Sequence, residues 1–317
     1  MWRAYVVLWL GVWIVLITRP GTWPAALGQW PMALVMALGS FVAGSTPMGG
    51  GTVAFPVLVL GFDRSPVMAR DFGFAIQSVG MTSAMLFIFA RNMPVERRML
   101  LWSCVGAVIG LVFGTWLLAG RVPADWVKLV FATLWTTFGA WLVTGARAEA
   151  SLPLRPADGR DVSRIGLAVG VVGGAIASLI GVGLEMLVYA TLVLRFGWGP
   201  KAAVPTAVCA TALASPVGLA LRFLTEGVHP EVFPVWLAAM PVVIFGAPAG
   251  AFILKRVPRL VLLRVIGALC LVQFGATVAQ VRPTPEQWTG VAVLAVLSTA
   301  GLWLLAPNRP ASAASAA

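Results

Sequence analysis

"FVAGSTPMGGGTVAFPVLVLGF", residues Phe41–Phe62, is an apolar run broken in its middle by Ser45-Thr46-Pro47-Met48-Gly49-Gly50-Gly51. Proline lacks the amide hydrogen a helix needs, and glycine loses more backbone freedom than any other residue on becoming helical. Together they stop a helix. A water-soluble helix stopped in this way turns out into solvent, but here apolar residues resume at once. The chain ends one helix and begins another where little water reaches.

The composition says what surrounds that break. Hydrophobic residues make up 60% of the 317, charged residues 10%, and the mean hydropathy is +0.93. A soluble domain of this length could not wet such a surface. Uncharged windows such as Leu100–Gly120 are long enough, as helix, to cross about 30 Å of hydrocarbon. The expected fold class is an all-α integral membrane protein, multi-pass in a cell (inner) membrane, with the lipid bilayer around it. The net charge of +11 does not point to nucleic acid, because the basic residues stand singly or in pairs at the ends of apolar segments. Enzyme chemistry finds no footing. His229 is the one histidine, and Cys104, Cys209 and Cys270 lie apart in apolar segments. No metal-ligand spacing occurs, and no phosphate-binding Gly-x4-Gly-Lys-Ser/Thr loop. No metal, cofactor or catalytic residue is expected.

Around the polar stretch Gly145–Arg164 the sequence repeats itself. Gly49-x-Gly51 matches Gly181-x-Gly183, and Ser65-Pro66 matches Gly199-Pro200. Arg121-Val122-Pro123 matches Arg256-Val257-Pro258, and Phe138-Gly139-Ala140 matches Phe274-Gly275-Ala276. Each copy opens with two short apolar segments flanking a glycine-rich break (Pro31–Ala43 and Thr52–Gly61; Ile165–Leu179 and Leu184–Leu194), and three full spans follow. A segment of about 13 residues reaches only roughly 20 Å as helix. Each pair is therefore expected to be a re-entrant hairpin with its tip at mid-membrane.

The expected organisation is an N-terminal helix and loop over 1–30, a first repeat over 31–145 and a cytoplasmic linker over 146–164. A second repeat over 165–281, a last helix over 282–306 and a disordered tail over 307–317 complete it. Met1–Ile17 also has the length of a signal peptide, but Pro20 and Trp23 precede any small-residue cleavage site, which favours a retained span. With hairpins, the N-terminal side of the membrane collects 15 of the 22 basic residues; one crossing per pair splits them 12 to 10. The bias of Lys and Arg toward the cytoplasm favours the hairpins. Both termini are then cytoplasmic and the two repeats are inverted.

A break inside the membrane leaves peptide groups unpaired, at a cost of roughly 2–7 kcal/mol each, and is tolerated only within protein or beside a wet cavity. The half-helix starting at Thr52 would turn its N-terminus, with free amides and partial positive charge, into such a cavity. Gly49, Gly50 and Gly51 let a ligand come close to those amides, and Gly181 and Gly183 would do the same from the other side. Close helix packing is the competing reading of these glycines, and the better one for Gly106, Gly110 and Gly114 in mid-span. Thr52, Gln77 and Thr206 are candidate ligand donors, although buried hydroxyls often bond their own helix. Glu185, one turn from the second break, is a carboxylate inside the membrane and so a functional candidate. It either carries a coupling proton or neutralises an arginine such as Arg70 or Arg222. Arg70-Asp71 is either an interfacial ion pair with a capping role or part of the charge balance.

The runs "PMGGGTVAFPVLVLGF" and "SPVMARDFGFAIQSVGMTSA", with the echo "GVGLEMLVYATLVLRFGWGPKAAVPTA", resemble the TauE/SafE family of sulfite exporters over roughly Met32–Ala279. The resemblance implies a secondary transporter, an exporter, of a small anion such as sulfite, sulfoacetate or a related organosulfonate. It puts the substrate site at the two glycine loops and the start of the following span. The second copy departs from the first, with Val182 in place of Gly50 and Glu185 in place of Val53, so a strictly symmetric site is not implied. A passive anion channel and a transporter of a small carboxylate stay open at this point.

Overall fold

Helix is the only regular structure among the described residues, which are 1–145, 159–253 and 259–305 of a computed structural model. In chain order the elements are α1 (Trp2–Ile17), α2 (Thr22–Leu27), α3 (Trp30–Ser45), α4 (Gly51–Pro56), α5 (Pro66–Ala90), α6 (Arg97–Leu117) and α7 (Ala124–Gly145). Then come α8 (Gly159–Ile180), α9 (Leu184–Ala190), α10 (Pro200–Leu224), α11 (Val232–Ile253), α12 (Arg259–Val281) and α13 (Pro285–Leu305). Six of them, α5, α6, α8, α10, α11 and α13, are long and apolar enough to cross a membrane. The linker residues 146–158, the Arg256-Val257-Pro258 stretch and the tail 307–317 lie outside the described residues.

Local sequence sets matched helix starts. Ser65 is extended and its hydroxyl accepts the Met68 amide at 3.2 Å, while Pro66 takes the first helical position. Gly199 and Pro200 open α10 in the same way, without the side-chain bond. Proline suits that position because its missing hydrogen would be unpaired there anyway. α4 and α9 both continue as a wider π-type turn, over Val57–Gly61 and Thr191–Arg195. Pro56 precedes the first and Ala190 the second, so proline is not the cause of the widening.

The packing also comes in matched pairs. α6 lies on α8 as α11 lies on α3, α11 packs on α5 as α10 packs on α6, and α4 rests on α5 as α9 rests on α10. The contacts of α5 with α10 and of α7 with α12 join the two sets. Small residues make the α6–α8 and α3–α11 seams. A β-carbon on Gly110 of α6 would run into the Val171 carbonyl, and one on Gly170 of α8 into the Ser103 carbonyl. Across the other seam Gly44 faces the Ala247 carbonyl and Gly250 that of Phe41. Lipid is as apolar as leucine, so helices in it associate through such close backbone contact. The Gly106-Gly110-Gly114 spacing packs helices, as its sequence suggests. At the periphery α1 is tied to α5 and α11, with the Trp2 indole donating to Ser83 Oγ at 3.0 Å and that of Trp13 to the Leu237 carbonyl at 2.8 Å.

Helix lengths depart from the sequence reading. α8 begins at Gly159, so residues 159–164, assigned there to the linker, are helical. Asp161 lies in its first turn, where a negative charge suits the helix dipole, and Ser163 Oγ bonds back to the Gly159 carbonyl at 2.9 Å. α3 has 16 residues and α8 has 22, lengths of about 24 and 33 Å. Both run past the half-way point of their neighbours. Gly114, near the end of α6, meets Ser178 near the end of α8; Gly250, near the end of α11, meets Phe41 and Ser45 of α3. The two breaks therefore overlap in depth instead of meeting tip to tip.

The seam makes a stability prediction. Gly110→Leu must push α6 and α8 apart, at a cost of about 1–3 kcal/mol or more. Gly275 has nothing within 4 Å of where a β-carbon would stand, and Gly275→Leu should leave the fold unchanged. Thermal unfolding of the two variants in detergent, compared with the parent protein, reads the difference directly.

Candidate functional site

Overlap sets break against break. Gly49 has φ +61°, and a β-carbon there would fall on Glu185 Oε1, with Gln77 Oε1 3.4 Å away. One on Gly51 would fall on Val182 Cγ1. Gly181 has φ +78° and lies so close to α5 that a β-carbon would stand 2.6 Å from the Arg70 carbonyl. Both loops are thus held by contacts that only a bare α-carbon allows. Gly50 and Gly183 complete the loops, and the whole of both breaks is buried.

Two side chains fasten the junction. Gln77 Nε2 donates to the Gly181 carbonyl and to the Gly73 carbonyl, each at 2.8 Å, so α5 holds the second break directly. Its Oε1 has no hydrogen-bond partner. Thr211 of α10, which stands where the repeat places the counterpart of Gln77, donates to Glu185 Oε2 at 2.8 Å. Glu185 Oε1 has no partner either. Two unsatisfied acceptor atoms therefore flank the α-carbon of Gly49.

Donors gather on the other side of the first break. The Trp135 indole donates to Thr52 Oγ1 at 2.9 Å, which leaves the threonine hydroxyl hydrogen free to donate. The first amides of α4 have no acceptor within their own helix; that of Thr52 turns back to the Gly49 carbonyl at 3.3 Å. A cavity of about 370 Å³ opens here, between Met48, Thr52, Val53 and Pro56 on one side and Cys270 and Gln273 of α12 on the other. Gln273 is buried and its Nε2 has no partner. The lining is otherwise apolar, so the hydroxyl of Thr52 and the amide of Gln273 are its polar handles.

Residues 32–274 match the family described as sulfite exporter TauE/SafE, a span that begins in α3, includes both breaks and ends in α12. The chain belongs to the TauE/SafE family of sulfite exporters. It is accordingly a multi-pass membrane transporter of the sulfite-exporter type. No curated protein and no solved structure matches it.

The remaining candidates of this TauE/SafE chain fall into two places. Arg70 and Asp71 form an ion pair in the first turns of α5, and both side chains are buried within the protein, 3% and 0% exposed. Asp71 Oδ1 accepts from Arg70 Nε at 3.0 Å and from Arg222 Nε at 3.1 Å. Glu185 makes no ion pair among the described residues, and of its two readings the neutralising of Arg70 or Arg222 is not met, since both arginines pair with Asp71. Thr206 stands apart from the breaks; its hydroxyl donates to the Ala202 carbonyl at 2.7 Å and accepts the Glu96 amide at 2.9 Å, anchoring the loop before α6. Gln273 and Trp135 escaped the sequence reading. The rule that flags Gln77, an amide inside an apolar span, flags Gln273 equally well; nothing in the sequence marks Trp135 among the 14 tryptophans. Among the described residues no group of three His, Cys, Asp or Glu could hold a metal.

Burial sets very different weights on the ion pairs. Asp71→Asn would leave two buried guanidiniums facing each other, a loss of about 3–5 kcal/mol. Glu231→Gln opens only the exposed pair to Arg64, worth roughly 0–1 kcal/mol. Denaturation in detergent should therefore show a large drop for the first variant and almost none for the second.

Proposed function

We propose that the chain is a secondary exporter of a small sulfur oxyanion, sulfite, sulfoacetate or a related organosulfonate, bound beside the first break. The observation that carries this is the cavity beginning at Thr52, beside helix-end amides, a threonine hydroxyl and an unpaired glutamine amide. The threonine hydroxyl and the glutamine amide can both donate to an oxyanion. The apolar walls accommodate the carbon part of an organosulfonate, and the donors take its oxygens. Gly49, Gly50, Gly51, Thr52 and Gln273 are the contact set from the first hairpin side, with Gln77, Gly181 and Gly183 holding the second break in register. The matched packing pairs support reading the two halves as inverted repeats, the arrangement that gives alternating access to one site. Both termini are then cytoplasmic.

Glu185 makes anion binding depend on pH. Its carboxyl lies in the first turn of α9 and so neutralises the positive end of the second half-helix. While ionised it also repels an anion beside Gly49, by roughly 3 kcal/mol at about 5 Å and an effective dielectric near 20. Protonation removes that repulsion and turns the unpaired oxygen of the carboxyl into a donor. Anion and proton therefore favour each other's binding, by about a hundred-fold on this scale.

Uptake and counter-exchange by purified protein in liposomes, against sulfite, sulfoacetate, methanesulfonate, thiosulfate and acetate, tests the reading. Saturable exchange of the sulfur oxyanions is expected; single-channel currents would make the protein a pore, and exchange of acetate alone would make it a carboxylate carrier. Gly51→Leu and Gly183→Leu should abolish transport in folded protein. If they transport normally, the site is elsewhere. With methanesulfonate, ionised throughout, the apparent KM should rise with pH in the parent protein and be flat for Glu185→Gln. Impermeant labelling of Asn92→Cys and Asp125→Cys checks the topology, with the first expected inside and the second outside.

A further inference from the structure

At the end of the molecule where α5 begins and α10 ends, two guanidinium groups share one carboxylate. Arg70, Asp71 and Arg222 are each buried, and both arginines use Nε on the same Asp71 oxygen. The other oxygen of Asp71 accepts the backbone amide of His229 at 3.1 Å. Arg222 Nη2 reaches Glu226 at 2.7 Å, and Arg70 Nη1 makes a long contact of 3.5 Å to the Ser178 carbonyl, at the end of α8. Arg70 Nη2 and Arg222 Nη1 are buried with no partner at all. The buried set thus carries two positive charges against one negative, with two idle donors.

Such a set is costly to maintain for packing alone. A buried donor left unpaired keeps the full cost of its desolvation, and native proteins keep few. Guanidinium donors are shaped for the oxygens of an oxyanion. Glu226 is the one member in reach of solvent, with its side chain 52% exposed, just beyond the last residue of α10. Beside it Gly227 has nothing within 4 Å of a β-carbon position, so the turn is open. The Glu226 carboxyl is held below the usual carboxylate range, chiefly by the hydrogen bond from Arg222, against a smaller effect of desolvation and with the charges of Arg222 and Arg70 adding to it. It is therefore ionised at neutral pH, and its hold on Arg222 is lost only as the pH falls through that lowered value.

We infer that Arg70 and Arg222 form a second oxyanion subsite, separate from the hairpin junction, in which the carboxylate of Glu226 occupies the place of the anion until cargo displaces it. The subsite rests on the proposal that the cargo is an anion. It deepens that proposal by giving the anion a station between the junction and one membrane face. Arg70 is the link, since its backbone touches Gly181 of the second break while its side chain belongs to the arginine pair. Asp71 positions both guanidiniums and lowers their hold enough for release.

Titration of the purified full-length protein in detergent with sulfite and with methanesulfonate, read by calorimetry, tests the subsite. The parent protein should bind two anions per chain. Glu226→Gln removes an exposed competitor and should tighten one of the two sites on the order of five-fold, with liposome exchange still present. Arg222→Lys should lose that same site. Glu231→Gln, which opens the exposed pair with Arg64, is the control and should leave both affinities as in the parent. One anion per chain, or an affinity that Glu226→Gln does not change while the parent binds and exchanges anion, overturns the subsite and leaves the transport reading standing. A parent protein that neither binds nor exchanges any anion overturns both.

Discussion

A peptide group at the end of a helix, placed where there is no water, must find a partner within the protein. That demand organises this molecule. The sequence interrupts two helices inside an apolar chain, which creates unpaired amides and carbonyls at two places. The structure brings those places together, so that Gln77 reaches from α5 to the Gly181 carbonyl and the first loop lies against Val182 and Glu185. Each such bond inside a medium of low dielectric is worth more than in water because no solvent competes for it. Close approach has its own requirement, which is the absence of β-carbons at Gly49, Gly51 and Gly181. The same absence along α6, α8, α3 and α11 lets the helices that carry the breaks come near enough to hold them.

Charge follows from that arrangement. Ionisable groups inside the membrane are few and each has a fixed address. Asp71 lies between Arg70 and Arg222, and Glu185 lies alone at the junction. Charge attraction at these distances is strong, but so is the cost of removing water from the ions. A purely structural design would satisfy every donor and leave no net charge. Here the atoms left over are the two outer arginine nitrogens, one oxygen each from Gln77 and Glu185, and the amide nitrogen of Gln273.

How much of this a sequence can carry depends on how local the cause is. The broken helices were legible because proline and glycine act within a few residues, and the matched helix starts because Ser65-Pro66 and Gly199-Pro200 share their punctuation. Glu185 stood out as a carboxylate in an apolar run. Long-range pairing left no such trace. Asp71 meets Arg222 across 151 positions and Trp135 meets Thr52 across 83, and no local pattern links them. The extent of α8 was underestimated for a different reason. Polar residues at 159–164 read as linker, but they are stable as the first turns of a helix whose apolar part is already anchored on α6. Thr206 shows the reverse failure: its place in the repeat suggested a ligand donor, while its hydroxyl is taken up by the Glu96 amide.

The two halves share a scaffold but not a charge pattern, and the difference bears on what the scaffold can do. If both helix ends at the junction were bare, an anion would be held from both sides and released slowly. The second half-helix instead carries its own carboxylate in its first turn, so its positive end is already neutralised. The first half-helix has no acid there. A negative charge is therefore favoured at the start of α4 and already supplied at the start of α9. The arginine pair repeats the asymmetry at one end only, because α10 has Val204 and Pro205 where α5 has Arg70 and Asp71. A symmetric scaffold allows a site to open to either face. Unequal charges make the two halves electrostatically different, with an acid in the first turn of α9 and none in that of α4.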